Sequence, residues 1–163
     1  MREFVRTIDP DLRYIKHNTY DGLIQIYVRS ARKKASCPYC RHKSDRIHSI
    51  YQRKFRDLPI QEKKVEIVIS NRKFFCLNAD CAHKTFAETF SCLPKMGRRS
   101  ERLTKTILNT ATNLSSVTAS KTLKHSTADI GKSTICRLLK KELFFVKWKC
   151  SKNKEKSVAL KSR

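Results

Sequence analysis

Cys37-Pro38-Tyr39-Cys40 and Cys76-Leu77-Asn78-Ala79-Asp80-Cys81 are the two stretches on which the fold of this chain turns. The first is a Cys-x-x-Cys turn, tight enough for both sulfurs to face one ion, and the second is another close pair. Together they supply the four thiolates that a closed tetrahedral zinc site takes, and no position is left for a reactive water. The expected ligands are Cys37, Cys40, Cys76 and Cys81, the expected cofactor is one structural Zn2+ per chain, and no catalytic residue is implied. Residues 41–75 between the pairs exceed the usual zinc-ribbon spacing, which a β-insertion accounts for. A redox reading of the first pair needs a βαβ setting that its neighbours do not offer. His42, His48 and His83 lie close in sequence and are the alternative ligands. Cys92, Cys136 and Cys150 have no paired spacing: Cys136 reads as a small helical residue and the other two as structureless thiols.

Working outward, the residues around the cysteines carry strand-like alternation. Leu12 to Ile15, then Leu23-Ile24-Gln25-Ile26-Tyr27-Val28, then Val65-Glu66-Ile67-Val68-Ile69 running into Lys73-Phe74-Phe75 have the period of half-buried strands. Asp21-Gly22 between the first two reads as a hairpin turn, because this pair tolerates the positive φ that a two-residue turn needs. Helix signals are nearly absent from this half. Tyr51, Phe55, Phe74 and Phe75 alternate with cations, a pattern compatible with base stacking, although the phenylalanines read as core.

After Pro94-Lys95-Met96-Gly97 the periodicity changes to that of helices. Leu103, Ile107, Leu108, Ala111 and Leu114 define a first helix with Ser100 as its N-cap. Leu114-Ser115-Ser116 breaks it, Val117 to Lys124 form a second, and Ile135, Leu138, Leu139 and Leu143 a third, with Gly131 where its cap belongs. Two short helices joined by Ser126-Thr127-Ala128-Asp129-Ile130-Gly131 fit a helix-turn-helix, whose second helix enters the major groove. Its apolar side would face inward, leaving Lys132, Ser133, Thr134, Arg137, Lys140 and Lys141 toward DNA. Arg137 and Ser133 suit base edges, and the lysines suit phosphates. The expected class is α+β: a β-rich zinc-binding domain over 1–96, a three-helix helix-turn-helix domain over 97–146, and a basic flexible tail over 147–163.

The charge balance points the same way. Lysine and arginine number 37 against 14 acids, a formal charge of +23, and a chain so unbalanced attracts polyanions. Arg98, Arg99 and Arg102 flank the first helix, and Arg29, Arg32, Lys33, Lys34, Arg41, Lys43, Arg46, Arg53, Lys54 and Arg56 crowd the zinc region. Of these, Arg98, Arg99, Arg53 and Arg56 join the third-helix residues as expected DNA contacts. The apolar runs are far shorter than the roughly 20 residues that cross a bilayer, and the N-terminus has no apolar signal region, so a cytoplasmic, nucleoid-associated protein is expected. An odd count of seven cysteines in that reducing compartment favours metal ligands and buried thiols over disulfides.

These residues resemble a known family. CPYC, Ser44, His48-Ser49-Ile50-Tyr51-Gln52-Arg53, Arg56-Asp57-Leu58-Pro59, Arg72-Lys73-Phe74-Phe75-Cys76, Asn78-Ala79-Asp80-Cys81 and Thr85-Phe86-Ala87-Glu88 are similar to the N-terminal zinc-binding domain of ISL-three-type insertion-sequence transposases. The likeness spans about Asp9 to Phe90, and the later IGKSTICRLLK resembles the helix-turn-helix of that family, where serine commonly stands at the position of Gly131. The resemblance implies recognition of the element's terminal inverted repeats in double-stranded DNA by both modules. It also implies a following RNase H-like domain with a carboxylate triad, for which the basic residues after Trp148 have no counterpart. The expectation is a sequence-specific DNA-binding protein that is not itself an enzyme, acting as a homodimer or beside a full-length transposase. The alternatives are a recognition subunit whose catalytic chain is separately encoded, an RNA-binding zinc protein, and a thiol oxidoreductase.

Overall fold

A computed structural model describes residues 1–94, 97–126 and 129–141. The basic tail 147–163, Leu143, Cys150 and the Thr127-Ala128 part of the interhelical loop lie outside the described residues. The chain divides into two compact units, Met1–Thr104 and Lys105–Arg163.

The first unit begins with α1 (Arg2–Ile8), followed by the hairpin of β1 (Leu12–Tyr20) and β2 (Leu23–Ser30). Asp21-Gly22 forms the turn, with Gly22 at φ +68, a left-handed conformation that glycine adopts without the strain of a Cβ. After β3 (Ala35–Ser36) and β4 (Lys43–Ser44) comes a long hairpin, β5 (Ile47–Ile60) and β6 (Lys63–Phe75), and then the short β7 (Thr85–Ala87). The main sheet has the order β1-β2-β6-β5, with β7 on the C-terminal part of β6. β2 and β6 run parallel, with Ile24 beside Val65, Ile26 beside Ile67 and Val28 beside Ile69. A parallel pair needs a crossover connection, and here residues 31–62 provide it, carrying the first cysteine pair away from the sheet and β5 back to it.

The alternation in β2 and β6 places those six side chains on one face, all buried. Phe55 from β5 joins them, as do Leu12, Phe90, Cys92 and Leu93, and α1 contributes Val5. That helix was not legible in a segment where charges alternate with only Phe4, Val5 and Ile8 as apolar anchors. It forms because those three lie on one side of two short turns and pack against the sheet. Cys92 is likewise a correction: it is a core residue, 8% exposed, and burial pushes its thiol up to about 12.

Three buried carboxylates organise the loops of this unit. Asp9 accepts from the hydroxyl and amide of Ser91 at 2.7 and 3.0 Å, tying the end of α1 to the segment after β7. Glu88 takes both arms of Arg72 at 2.9 Å and the Ser30 hydroxyl at 2.6 Å, with Arg32 alongside. Asp57 accepts from Ser100 and Arg102. Their pairing answers the desolvation cost that a lone buried carboxylate would carry.

Ser100 also caps α2 (Glu101–Asn113): its Oγ accepts from the Leu103 amide at 3.1 Å. In the second unit, Ser115 caps α3 (Ser116–Ser126) in the same way, accepting from the Thr118 amide. A further helix, α4, covers 132–141. Among the described residues of this unit, Ile107, Ala111, Ala119, Leu123, Ile130 and Ile135 are the buried apolar ones, whereas Leu114 falls after the end of α2 and is 40% exposed. The architecture is thus α+β: a β-rich unit holding the cysteines, then three helices. Among the described residues no helix is long and apolar enough to cross a membrane.

Candidate metal centre and nucleic-acid interface

β6 is longer than β2, so its C-terminal end, still paired with β5 on one side, extends past β2 and pairs on that edge with β7, Phe74 facing Phe86. The second cysteine pair lies in the connection between these two strands. The first lies between β3 and β4, where Ala35 pairs with Ser44. Phe74, Phe86 and Ala35 form a small separate core with Cys37 and Cys81, against which Cys40 and Cys76 pack. The β5–β6 hairpin is therefore the β-insertion expected between the pairs.

Each cysteine turn is closed by backbone hydrogen bonds. The Cys37 amide donates to the His42 carbonyl at 2.9 Å and the Arg41 amide to the Cys37 carbonyl at 2.9 Å. Arg41 adopts φ 63 to close this turn, a left-handed conformation that glycine takes at lower cost. On the other side the Cys76 amide donates to Lys84 at 2.8 Å and the Cys81 amide to Asn78 at 3.3 Å.

The four sulfurs converge within 4.8 Å of one another, with Cys40 and Cys76 at 3.5 Å. A Zn–S bond of about 2.3 Å separates the corners of a regular tetrahedron by about 3.8 Å, so the cluster has the dimensions of one zinc site. Its electrostatics agree. The His42 amide, donating toward Cys40, pulls that thiol down to about 7. Cys76 goes the other way, up to about 12: the Asn78 amide opposes the rise, and burial and the neighbouring sulfurs drive it. Four thiols in one space ionise together only when a cation neutralises them, which a divalent metal does. All four ligands expected from sequence are thus brought together for one structural Zn2+.

The histidines weighed as alternative ligands have other positions. His83 stacks on Tyr39 with ring centroids 3.5 Å apart, and His48 meets the edge of Phe75 at 4.9 Å. Among the described residues the metal-competent cluster consists of cysteines alone.

The residues expected at DNA fall into two groups. On α4, Lys132, Ser133, Arg137, Lys140 and Lys141 are exposed or half-buried and Thr134 is half-buried, while Ile135 on the opposite side is fully buried. Leu138 and Leu139 are not fully buried. The Gly131 carbonyl accepts from the Thr134 and Ile135 amides, so Gly131 does stand at the cap, and the Ser120 hydroxyl of α3 holds the Ile130 carbonyl at 2.7 Å. In the β-rich unit, Arg98 and Arg56 are exposed, and Arg99 is half-buried. Arg53 instead serves the fold: its guanidinium donates to the carbonyls of Pro94 at 2.7 Å and Gly97 at 3.0 Å.

Several other cations of the sequence crowd also have internal partners. Arg32 meets Glu88 at 3.2 Å, Arg46 lies over the Phe75 ring and Lys34 pairs with Asp45. Of the interleaved aromatics, Phe55 and Phe74 are core, Phe75 is half-buried, and Tyr51 is exposed with its hydroxyl accepting from Asn71. Two residues that sequence reasoning did not single out are Asp57 and Glu88. Both stand in the family-like motifs, and the signal available for Asp57 was an acid in a strongly basic stretch, whereas Glu88 stands among uncharged residues and had no such signal.

Residues 33–81 match a family described as the zinc-finger of transposase IS204/IS1001/IS1096/IS1165. The matched span contains all four cysteines and the entire β5–β6 hairpin, so this stretch is similar to a transposase-type zinc ribbon, with four cysteines placed to hold its metal. No curated protein and no solved structure matches the chain.

Proposed function

We propose that this protein binds double-stranded DNA in a sequence-specific way, as the recognition part of a transposase binds the terminal inverted repeats of its element. The observation that carries the reading is the division of α4 into a buried side, Ile135, and an outward side bearing Lys132, Ser133, Arg137, Lys140 and Lys141. α3, the loop capped by Gly131 and α4 have the order of a helix-turn-helix, and in that motif the exposed side of the second helix reads the major groove. The transposase-type zinc ribbon earlier in the same chain supports the same partner.

Arg137 has the reach and donor geometry for a guanine edge, and Lys140 and Lys141 suit phosphates. Binding should weaken steeply with salt, by orders of magnitude between about 50 and 200 mM if roughly six to ten phosphates are engaged. Arg98, Arg99 and Arg56 are further backbone contacts. Arg53 contributes by holding residues 94 and 97 in place.

We also propose that these residues bind without cutting. Strand cleavage by two metals needs clustered carboxylates with open coordination positions, whereas Asp9, Asp57 and Glu88 are committed to internal partners and the cysteine site is closed by sulfur.

Selection of bound fragments from host DNA, followed by anisotropy titrations on the recovered sequence and a scrambled one, tests the reading. Repeated element termini are expected among the fragments. Arg137→Ala should flatten discrimination between the two duplexes, and Lys140→Ala should weaken both about equally. An Arg137→Ala protein with unchanged preference would remove α4 as the recognition helix. Incubation with supercoiled plasmid and Mg2+ should leave it intact.

A further inference from the structure

The two-residue turn at Asp21-Gly22 sets Lys16 opposite Tyr27, and a bulge at Ile15 then shifts the β1–β2 register by one residue, which puts Arg13 directly opposite Arg29. Like charges facing each other across an antiparallel pair are destabilising. Natural sheets relieve such a pair with a nearby carboxylate, yet neither guanidinium has a hydrogen bond or ion pair with any described residue, and both are exposed. Two grooves meet at this pair. One, of about 360 Å3, continues over Ser30, Ser70 and Lys33, with Ile50 beside them. The other, of about 410 Å3, runs under Arg2 and Arg6 of α1. No aspartate or glutamate lines either groove. Arg72 also borders the first, but Glu88 already neutralises it. Arg2, Arg6 and Lys33, like the central pair, have no acidic partner among the described residues.

Five cations along two adjoining grooves, with the Ser70 hydroxyl among them, match an extended polyanion better than a single small ion. Guanidinium groups grip phosphate oxygens bidentately, and the exposed faces of Ile15 and Ile50 offer apolar surface for sugars. We infer that these grooves seat the phosphodiester backbone of DNA, a second contact surface on the β-rich unit, separate from α4. The inference rests on the proposed DNA-binding function and adds to it a part that sequence periodicity did not indicate. Contacts of this kind add affinity and salt dependence and leave base preference to other residues.

The test is the full chain carrying Arg13→Gln and Arg29→Gln, compared with wild type and with Lys140→Ala/Lys141→Ala in titrations on duplex DNA over a range of salt. Loss of two phosphate contacts should make the log–log salt slope shallower by about 1.8, so that a fourfold rise in salt costs roughly tenfold less affinity than in wild type. Discrimination between cognate and scrambled duplex should be retained. The variant is also expected to melt higher than wild type at low salt, because the facing charges are gone, with the gain shrinking as salt rises.

A salt slope unchanged by the groove substitutions, with the α4 substitutions still weakening binding, overturns this inference alone. Binding that survives the α4 substitutions and falls with the groove pair overturns the α4 reading and retains the grooves. A wild-type chain that binds no DNA overturns both. A slope change seen with a structured RNA hairpin and absent with duplex DNA reassigns the grooves and also overturns the inference.

Discussion

The hydroxyl of Ser100 donates to the buried carboxylate of Asp57 at 2.6 Å while its oxygen accepts from the Leu103 amide that opens α2. One serine thus links the end of β5 to the start of a helix, and Arg102 completes the link by donating to the same carboxylate at 2.7 Å. Asp57→Ala should destabilise the β-rich unit by about 3 kcal/mol, because it strands a guanidinium and a hydroxyl beside a low-dielectric site. Ser100→Ala should cost about 1 kcal/mol through the lost cap. The double variant should cost less than the two together, and urea unfolding of all four proteins in a double-mutant cycle measures the difference.

The metal end should respond separately from the sheet. Elemental analysis is expected to give one zinc per chain. Chelation, or Cys76→Ser, should speed hydrogen exchange at the amides of Cys37, Arg41, Cys76 and Cys81, whose bonds close the two turns. The amides joining β2 to β6 should exchange more slowly, since the large core lies beside them. No bound metal in chelator-washed protein, with an unaltered circular dichroism spectrum for Cys37→Ser and Cys81→Ser, would contradict the site.

Gln61 and Glu62 join the long strands β5 and β6 with φ 47 and 64, both left-handed. A two-residue hairpin turn of that type favours Asn-Gly. Replacing the pair by Asn-Gly should stabilise the unit by about 1 kcal/mol, visible as a rise in melting temperature without loss of zinc.

Asp9 gives a pH dependence. Burial pushes its carboxyl up, but hydrogen bonds from the Ser91 hydroxyl and the amides of Asp11, Cys92 and Ser91 outweigh burial and hold it below its ordinary 3.8. The folded form therefore binds this proton less readily than the unfolded chain. The resulting stability is complete above the unfolded value and is lost as pH falls through the depressed folded one. Denaturant midpoints followed from about pH 6 to about pH 2 should show the loss, and Asp9→Asn should flatten that part of the profile.

Gly131 at the cap of α4 has open space around the position of a Cβ. Gly131→Ser should add a side-chain acceptor for the first turn and stabilise the helix by a few tenths of a kcal/mol, about the measured difference between these caps. Slower exchange at the amides after Gly131 checks it.

The zinc ligands were legible because tight cysteine pairs have few other uses, and the β1–β2 hairpin because Asp21-Gly22 marks its turn. The caps at Ser100 and Gly131 were legible for a similar local reason. β5 was harder: only Phe55 and Asp57 are fully buried, and a strand with half of its residues exposed loses the alternation that announces it. α1 escaped because seven residues are too few to establish a period. The parallel seam of β2 with β6, and the facing of Arg13 by Arg29, depend on register and topology, which neighbouring residues do not encode. Arg53 shows the converse limit. Composition marks it as a candidate for phosphate, and only tertiary contacts reveal that backbone carbonyls already occupy it.

The same-direction pairing of β2 and β6 imposes a timetable on synthesis. Ile24, Ile26 and Val28 leave the ribosome well before Val65, Ile67 and Ile69, so the nascent apolar row waits, uncovered on one edge, while the excursion through residues 31–62 is made. Cys37 and Cys40 emerge during that wait, and Cys76 and Cys81 only after β6 is complete. The cation therefore cannot close its site before β6 has been made, and a shortage of zinc during translation would leave that end of the sheet open while the apolar rows of β2 and β6 remain able to meet.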